Sequence, residues 1–368
     1  MRGGTGGARR PAASRPWGAF MYKRCRIQNF KLFRELDIGE FQRVNLITGR
    51  NNSGKTALLE ALFIHSGAAN VHLPFSIEAF RGITQFEGGL GDAAAGFFSD
   101  FSAKEAIRLE GVDKLDITRA CTIRVVSAPT MIEQPLPEES IASQTQALEI
   151  TFEDSSLPAP VRARAVLEKD RLRLDASPVP PVYSGVFVST KAGTDHAATA
   201  KRFSDLTKNV GEEDRFVEAM RIIEPSIRGA RLLSHGGMSM LHADVGMKRF
   251  LPFAYAGEGM GRLASILVAV ASSRNGVALI DEVENGLHYS VLPGVWGAIS
   301  EFAERFNVQV FATTHSEECV RAAHGAFSTK DYAFRLFRLH RAVDGLTEAK
   351  VFDREALEAA LKSGLEAR

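Results

Sequence analysis

Hydrophobic and polar positions along the chain predict three blocks of secondary structure, of which the first spans residues 21–66. Alternating apolar side chains predict strands at 22–30 and 33–38. The apolar run at 44–47 predicts a buried strand, and a helical pattern follows it at 57–65. This block therefore has the order strand, strand, strand, helix, with a glycine-rich loop before the helix.

The second block, residues 67–250, has the pattern of an antiparallel sheet with an added helix. Four of its segments alternate between apolar and polar residues, as a strand with one buried face does. These segments are 107–109, 123–125, 148–152 and 163–174, the last a hairpin that turns at 169–170. The stretch at 80–98 has little regularity, the polar stretch at 192–200 predicts a loop, and 212–224 predicts an amphipathic helix.

The third block, residues 251–368, alternates between helices and strands. Its predicted helices are 261–272, 291–305 and 353–361, and its predicted strands are 277–280, 308–312, 333–340 and 350–352. Such alternation is typical of a parallel sheet covered by helices. We therefore predict an α/β fold in which residues 21–66 and 251–368 form one core, and residues 67–250 form an inserted β and helical subdomain.

Composition is that of a globular chain with a weak overall charge. Hydrophobic residues make up 45% of the 368 positions, charged residues 24%, and the formal net charge is +1. Any contact with nucleic acid must therefore depend on a local basic patch. The three cysteines, Cys25, Cys121 and Cys319, are widely spaced, which argues against a disulfide framework or a zinc site.

The N-terminal twenty residues differ from the rest of the chain. Residues 1–20 are rich in Gly, Arg, Ala and Pro and lack the apolar core of a signal peptide, so we predict a disordered tail. Met21 opens directly onto the first strand pattern and is an alternative to Met1 as the native start. No apolar stretch reaches the roughly 20 residues that span a bilayer, so we expect a cytoplasmic protein with no membrane partner.

The loop between the third strand and the first helix carries the strongest chemical motif. It reads GRNNSGKT, which matches the P-loop pattern GxxxxGK[ST] in the expected strand-to-helix setting. Backbone N–H groups of such a loop surround phosphate oxygens, Lys55 adds a positive charge, and Thr56 can coordinate Mg²⁺. The predicted nucleotide-binding residues are Gly49, Arg50, Asn51, Asn52, Ser53, Gly54, Lys55 and Thr56.

Polar residues follow two strands of the third block. A buried strand that ends at Ile280 places Asp281 beside the P-loop, where it can hold Mg²⁺, and Glu282 next to the γ-phosphate, where it can activate water. The run TTHS follows the next strand, so His315 is predicted to contact the γ-phosphate and to report its loss. Glu282 and His315 are therefore the predicted catalytic residues.

These motifs together resemble the ABC-superfamily ATPases of the RecF/SMC-like branch, and most closely the ATPase module of OLD (overcoming lysogenization defect) proteins. The resemblance rests on the P-loop, on LIDEVENGLH at 279–288, on ATTHS at 312–316 and on GLEAR at 364–368. It implies an ABC-type P-loop ATPase head with an antiparallel β subdomain. It also implies that two heads enclose two ATP molecules, with Asn285 in a D-loop that contacts the partner.

The resemblance further implies a signature motif that completes the partner's site. The corresponding segment is 256–262, AGEGMGR, which departs from LSGGQ because Gly257 stands where a serine is expected. Arg262 and Arg50 are candidates for compensating positive charge. The residues implied to act in trans are Gly257, Glu258, Gly259, Arg262 and Asn285. Gln85 is the candidate for the Q-loop glutamine and for a third metal contact beside Thr56 and Asp281.

OLD proteins carry a Toprim nuclease domain after the ATPase module, and this sequence ends where that domain would begin. We therefore expect an ATP-hydrolysing switch subunit, with no nuclease site of its own, that dimerises and controls a separate nuclease or toxin in anti-phage defence. One alternative is a RecF-like DNA-repair ATPase, with a basic strip formed by Arg162, Arg164, Arg171 and Arg173. Another is a nucleotide-binding subunit of a transporter, which the altered signature motif disfavours.

Overall fold

Three sheets and nine helices form the part of the chain that the computed structural model describes. The described residues are 21–81, 90–127, 146–168, 171–176, 181–190, 195–235, 237–328, 332–342 and 345–363. Within these ranges no helix is both long enough and apolar enough to cross a membrane. The fold is α/β with antiparallel and mixed sheets, as the sequence predicts.

The strands differ in length from two to ten residues. In chain order they are β1 (Tyr22–Phe30), β2 (Phe33–Gly39), β3 (Val44–Gly49), β4 (Ile107–Asp113), β5 (Thr118–Ser127), β6 (Gln146–Asp154), β7 (Val161–Glu168), β8 (Arg171–Ala176), β9 (Gly185–Val188), β10 (Gly229–His235), β11 (Met238–Asp244), β12 (Leu251–Pro252), β13 (Val277–Ile280), β14 (Gln309–Thr313), β15 (Phe334–Arg341) and β16 (Thr347–Phe352). The helices are α1 (Lys55–Ser66), α2 (His72–Phe80), α3 (Leu90–Ala95), α4 (His196–Thr207), α5 (Glu212–Met220), α6 (Glu258–Ser272), α7 (Leu292–Arg305), α8 (Glu317–Phe327) and α9 (Arg354–Lys362).

The six-stranded core sheet has the order β16-β15-β3-β14-β13-β9. All of its pairings are parallel except that of β16 with β15. Strands β3 and β14 align Ile47 with Thr313, and β14 and β13 align Ala312 with Ile280. Because parallel strands end at the same edge, the segments that follow β3, β13 and β14 come together there.

Helix α1 lies between the core sheet and a seven-stranded antiparallel sheet with the order β2-β1-β4-β5-β6-β7-β8. Every residue of α1 except Thr56 is buried, which fits a helix covered on opposite faces by two sheets. The antiparallel sheet alternates as predicted, with Cys25 and Ile27 buried while Arg24 and Arg26 face solvent. The P-loop helix is thus anchored along its whole length.

The other face of the core sheet is covered by helices α4 to α9 and by the three-stranded sheet β10-β11-β12. Helix α6 is the centre of this layer, since its residues from Met260 to Ala271 are all buried. Trp296 of α7 is fully buried in the same cluster. Burial of a large side chain contributes on the order of 2 kcal/mol, so this layer fixes the position of α6 against the sheet.

The middle block differs from the sequence-based prediction in several features, since α2, α3, β10 and β11 were not predicted. The predicted loop at 192–200 is wrong, because α4 begins at His196 inside it, with Asp195 Oδ1 accepting a hydrogen bond from Ala198 N at 2.9 Å. Strand β9, which the sequence did not indicate, joins the edge of the core sheet. The predicted turn at 169–170 and the expectations for residues 1–20 and 364–368 fall outside the described residues.

Candidate functional site

The P-loop connects β3 to α1 through a backbone that only glycine can follow at two points. Gly49 has φ +146° and Gly54 has φ +100°. A Cβ atom on Gly49 would lie 2.4 Å from Leu339 O, and one on Gly54 would lie 2.6 Å from the Phe33 ring. The loop therefore lies directly against β15 and the start of β2, which fixes its shape before any ligand binds.

Lys55 folds back over this loop. Its Nζ donates to Gly49 O at 2.9 Å and to Arg50 O at 3.0 Å. Burial lowers the pKa of Lys55, while the carboxylates of Asp281 and Glu282 oppose that shift. The lysine is thus held beside the loop backbone, where its charge faces the cavity described below.

A hydroxyl and a carboxylate form the pair expected of a magnesium site. Thr56 Oγ1 lies 3.1 Å from Asp281 Oδ1 and 3.3 Å from Oδ2, and Thr313 Oγ1 donates to Asp281 Oδ1 at 2.7 Å. Ser53 Oγ, in the P-loop itself, is buried without a hydrogen-bond partner among the described residues. Hard oxygen donors beside an unpaired buried hydroxyl fit a nucleotide with Mg²⁺.

Glu282 has an uncommon backbone conformation for a residue with a side chain. Its φ is +49°, in the left-handed region, and its N–H donates to Thr313 Oγ1 at 2.7 Å. Its carboxylate Oε1 lies 3.6 Å from Nε2 of His315, and both side chains are 39% exposed. His315 N–H in turn donates to Glu284 Oε1 at 2.8 Å. The two predicted catalytic side chains are therefore neighbours.

A cavity of 1190 Å³ brings the predicted residues together. Its lining includes Asn51, Asn52, Gly54, Lys55 and Thr56 of the P-loop region together with Glu282 and His315. Gly49 and Ser53 lie behind this surface in the loop backbone, and Arg50 is exposed on the outside of the loop. The P-loop, the two acids and the histidine thus form one site, as the parallel sheet edge requires.

The same cavity has cationic residues that the sequence analysis missed. Lys31, in the turn after β1, and Arg81, after α2, both line it. Their charged groups each lie 2.8 Å from a different oxygen of Glu60, a buried carboxylate of α1. Lys31 stands one residue after β1 with φ +52°, and it reaches Glu60 from a segment that is distant in the sequence.

The signature and D-loop candidates lie around a second cavity of 400 Å³. Its lining includes Gly257, Glu258, Arg262 and Asn285, and none of its described lining residues is shared with the first cavity. Gly257 precedes α6 with φ +89°, and Gly259 packs against the D-loop, since a Cβ there would lie 3.2 Å from Gly286 O. Asn285 Nδ2 donates to Thr190 O at 3.2 Å.

Arg262 is bonded mainly within its own chain. Its residue is 2% exposed, and burial lowers the pKa of its guanidinium to about 10. Nη1 and Nη2 donate to carbonyl oxygens of Ser189, Asp281 and Glu282, while Nε has no partner among the described residues. The predicted contact of Arg262 with a phosphate held by a second chain stays a prediction. Gln85, the Q-loop candidate, lies outside the described residues.

Two family models and a curated protein match this chain. A family model described as "AAA domain, putative AbiEii toxin, Type IV TA system" matches residues 136–321, and one described as "AAA domain" matches residues 24–67. A Helicobacter pylori (strain ATCC 700392 / 26695) protein named "ATP/GTP phosphatase" is 24% identical over 338 residues, which cover 85% of this chain and 90% of that protein.

Solved structures similar to this chain include heads of SMC proteins. One is an SMC head bound to the C-winged helix domain of ScpA, with 15% identity, a TM-score of 0.49, and coverage of 93% of this chain and 99% of that chain. Another is the SMC head domain from Thermotoga maritima, with 14% identity, a TM-score of 0.43, and coverage of 90% and 99%.

Proposed function

This chain belongs to the AAA domain family whose description includes the AbiEii toxin, and from that membership we propose that it is an ATP-driven switch that controls a separate effector. The membership makes it a P-loop ATPase. The finer proposal is that ATP pairs two copies head to head, that hydrolysis separates them, and that the effector responds to the paired form.

One observation carries the ATPase part of the proposal, namely that a single cavity is lined by P-loop residues, Thr56 and Glu282, while Asp281 is hydrogen-bonded to Thr56. Thr56 and Asp281 are the residues that would hold Mg²⁺, which supplies positive charge against the phosphate oxygens when bound. Lys55 adds a second positive charge. Glu282, whose carboxylate opens into the cavity, is placed to orient a water molecule and accept its proton.

His315 is the residue that we propose couples hydrolysis to reopening. Its ring faces Glu282 at 3.6 Å, while its backbone N–H is held by Glu284. A histidine fixed at the backbone but half-exposed at the ring can donate to a phosphate oxygen and lose that contact when phosphate leaves. A shift of His315 on loss of phosphate would then displace Glu284, and with it the D-loop that follows Glu284.

Pairing of two heads is supported by the exposed region around the second cavity. Gly257 and Gly259 begin α6 there, and glycines at a helix N-terminus allow close approach of an anion. Tyr255 and Tyr289, on either side of this region in the chain, are 69% and 65% exposed. Exposed tyrosines next to glycine-lined backbone suit burial by a second copy of the chain.

The identity of the effector is proposed from similarity. The resemblance to OLD proteins suggests a nuclease, and the description of the matched family refers to a toxin. We propose a nuclease or another toxin of the cytoplasm as the partner, acting in anti-phage defence. The test is affinity capture by the Glu282→Gln variant with ATP and Mg²⁺, with Lys55→Ala as the control. A nuclease or toxin retained only by Glu282→Gln supports the proposal, and equal capture by both variants contradicts it.

Direct DNA binding through the basic strip is less well supported. Arg164, on the solvent face of β7, pairs with Glu149 at 2.7 Å. The other end of the same sheet has the same pattern, because Arg24 and Arg26 of β1 each pair with an acid of β2. The face is thus nearly balanced in charge, whereas binding to a phosphate backbone needs unpaired cations. ATP-dependent retention of DNA in a gel shift would reverse this preference.

A further inference from the structure

Arg262 lies one turn into α6, yet its guanidinium reaches the end of β13. Nη1 donates to Ser189 O at 2.7 Å, and Nη2 donates to Glu282 O at 2.8 Å and also to Asp281 O. The three acceptors belong to the segments that follow the neighbouring strands β9 and β13. The arginine therefore links the segments after β9 and β13 at the edge of the sheet, where Asp281 and Glu282 follow β13.

Both backbone polar groups of Glu282 are hydrogen-bonded to side chains. Thr313 Oγ1 accepts from its N–H at 2.7 Å, and Arg262 donates to its carbonyl oxygen. A left-handed φ, such as that of Glu282, is unfavourable in a residue with a side chain and persists only when the surroundings impose it. At Glu282 the left-handed φ is imposed by the hydrogen bonds from the Arg262 guanidinium and to the Thr313 hydroxyl.

The start of α6 is also packed against the D-loop. A Cβ atom on Gly286 would lie 3.1 Å from Cβ of Glu258, and Gly259 approaches the backbone of Gly286 equally closely. Glu258, Gly259 and Arg262 stand on the first turn and a half of the helix. Movement of this helix end therefore displaces the D-loop and the peptide of Glu282 together.

We propose that Arg262 is a positioning residue that sets the Glu282 carboxylate from the start of α6, so that closure of the partner's site is transmitted to this chain's own site. The inference rests on the proposed function, in which Glu282 activates water and Gly257 faces the partner's nucleotide. It assigns Arg262 a role in cis and removes it from the partner's phosphate. The two ATP sites of a pair are then linked through α6 of each chain.

The proposal depends on the shape of the arginine side chain as well as on its charge. A planar guanidinium presents several N–H donors in a fixed fork, which suits three carbonyl oxygens from two segments. A lysine would keep the charge beside Asp281 but lose the fork. Arg262→Lys therefore removes the positioning contacts with little change in the electrostatic field of the cavity.

The first test compares Arg262→Lys with Arg274→Lys, an arginine beyond the other end of α6 that lies over the Phe306 ring. We expect Arg262→Lys to bind fluorescent ATP with unchanged affinity and to lose turnover by about 100-fold, as a displaced catalytic group does. Arg274→Lys should match the wild type in both. Full turnover in Arg262→Lys would overturn the proposal, as would equal losses of affinity and turnover.

The second test decides between action in cis and in trans. Mixed pairs are prepared in which one chain carries Glu282→Gln, so that both sites hold ATP but only the other chain hydrolyses it. Arg262→Lys on the hydrolysing chain should lower turnover by about 100-fold, and the same change on the Glu282→Gln chain should not. The reverse result would overturn the proposal.

A crystal structure of Arg262→Lys gives a readout that needs neither turnover nor pairing. Glu282 should leave the left-handed region in that variant, and an unchanged φ at Glu282 would contradict the proposal. If the wild type itself proves inactive, the proposed function fails while this structural result still decides the role of Arg262.

Discussion

Thr313 donates from its hydroxyl to Asp281 Oδ1 at 2.7 Å, joining the last residue of β14 to the first residue after β13. Thr313 Oγ1 also accepts a hydrogen bond from the N–H of Glu282 at 2.7 Å. One buried hydroxyl thus orients the predicted metal ligand and the backbone of the predicted base at once. Neither acid can shift without breaking a bond to the neighbouring strand.

Thr313→Val should destabilise the protein, because valine has nearly the same shape but no hydroxyl. Loss of two hydrogen bonds at a buried site is worth about 2 kcal/mol, and turnover should fall as well, since Asp281 loses its orientation. The measurements are urea unfolding and steady-state ATP hydrolysis. A variant as stable and as active as the wild type would contradict this account.

Thr48→Val is the matched control for stability. Thr48 Oγ1 is buried on β3 but has no hydrogen-bond partner among the described residues. Replacing an unpaired buried hydroxyl by a methyl group should leave the free energy of unfolding unchanged or raise it by up to about 1 kcal/mol. The two substitutions are chemically identical, so their difference measures the bonds of Thr313.

Lys55→Ala should lower nucleotide affinity, because it removes the charge beside the loop and the two bonds that close Gly49 and Arg50. Removal of a charged hydrogen-bond donor of this kind should lower the affinity for nucleotide by about 100-fold. Titration with a fluorescent ATP analogue measures it. Lys23→Ala is the control, since Lys23 is exposed in its pair with Asp116, and unchanged binding in Lys55→Ala would refute the P-loop assignment.

His65, near the end of α1, should make stability depend on pH. Burial lowers its pKa from 6.5 to about 4, so the imidazole is neutral near pH 7. Its Nε2 then donates to the Arg119 carbonyl oxygen at 3.0 Å, and its Nδ1 accepts from the Tyr22 hydroxyl at 2.6 Å.

The sign of the pH effect follows from that lowered pKa. The unfolded chain binds a proton below about pH 6.5 while the folded chain resists it, so stability falls as pH drops from about 6.5 to about 4, by up to about 3 kcal/mol. Urea unfolding measured across this pH range should show that the free energy of unfolding changes less steeply with pH in His65→Gln than in the wild type. His72→Gln, at an exposed position, should keep the wild-type slope, and equal slopes in all three proteins would contradict the account.

Sequence patterns predicted the elements whose periodicity is strong. The strand at 277–280 coincides with β13, an apolar run that is buried at every position. The alternating segments of the middle block lie in β4 to β8, and β4 and β6 have the alternating burial that the pattern predicts. Strand β9 was missed because its place in the core sheet depends on its pairing with β13, which is distant in the sequence. Helix α4 was missed because its buried face begins with the small residues Thr199 and Ala200, and large apolar side chains appear on it only at Phe203 and Leu206.

The site was predictable where local chemistry reflects topology. The P-loop glycines, Asp281, Glu282 and His315 each follow a core strand, and parallel strands bring their ends together. The role of Arg262 was not predictable, since its partners are backbone carbonyl groups that leave no trace in side-chain type. The Glu60 cluster was hidden for a related reason, because Lys31 and Arg81 meet it from distant segments.

Glu282→Gln tests the central claim that ATP pairs two heads and that Glu282 separates them by hydrolysis. Glutamine keeps the shape of the side chain but cannot accept a proton from water, so ATP should stay bound and the closed pair should persist. The measurement is the solution mass of this variant by light scattering, with and without ATP and Mg²⁺. The account predicts a mass that doubles only with nucleotide, and a mass unchanged by nucleotide would contradict it.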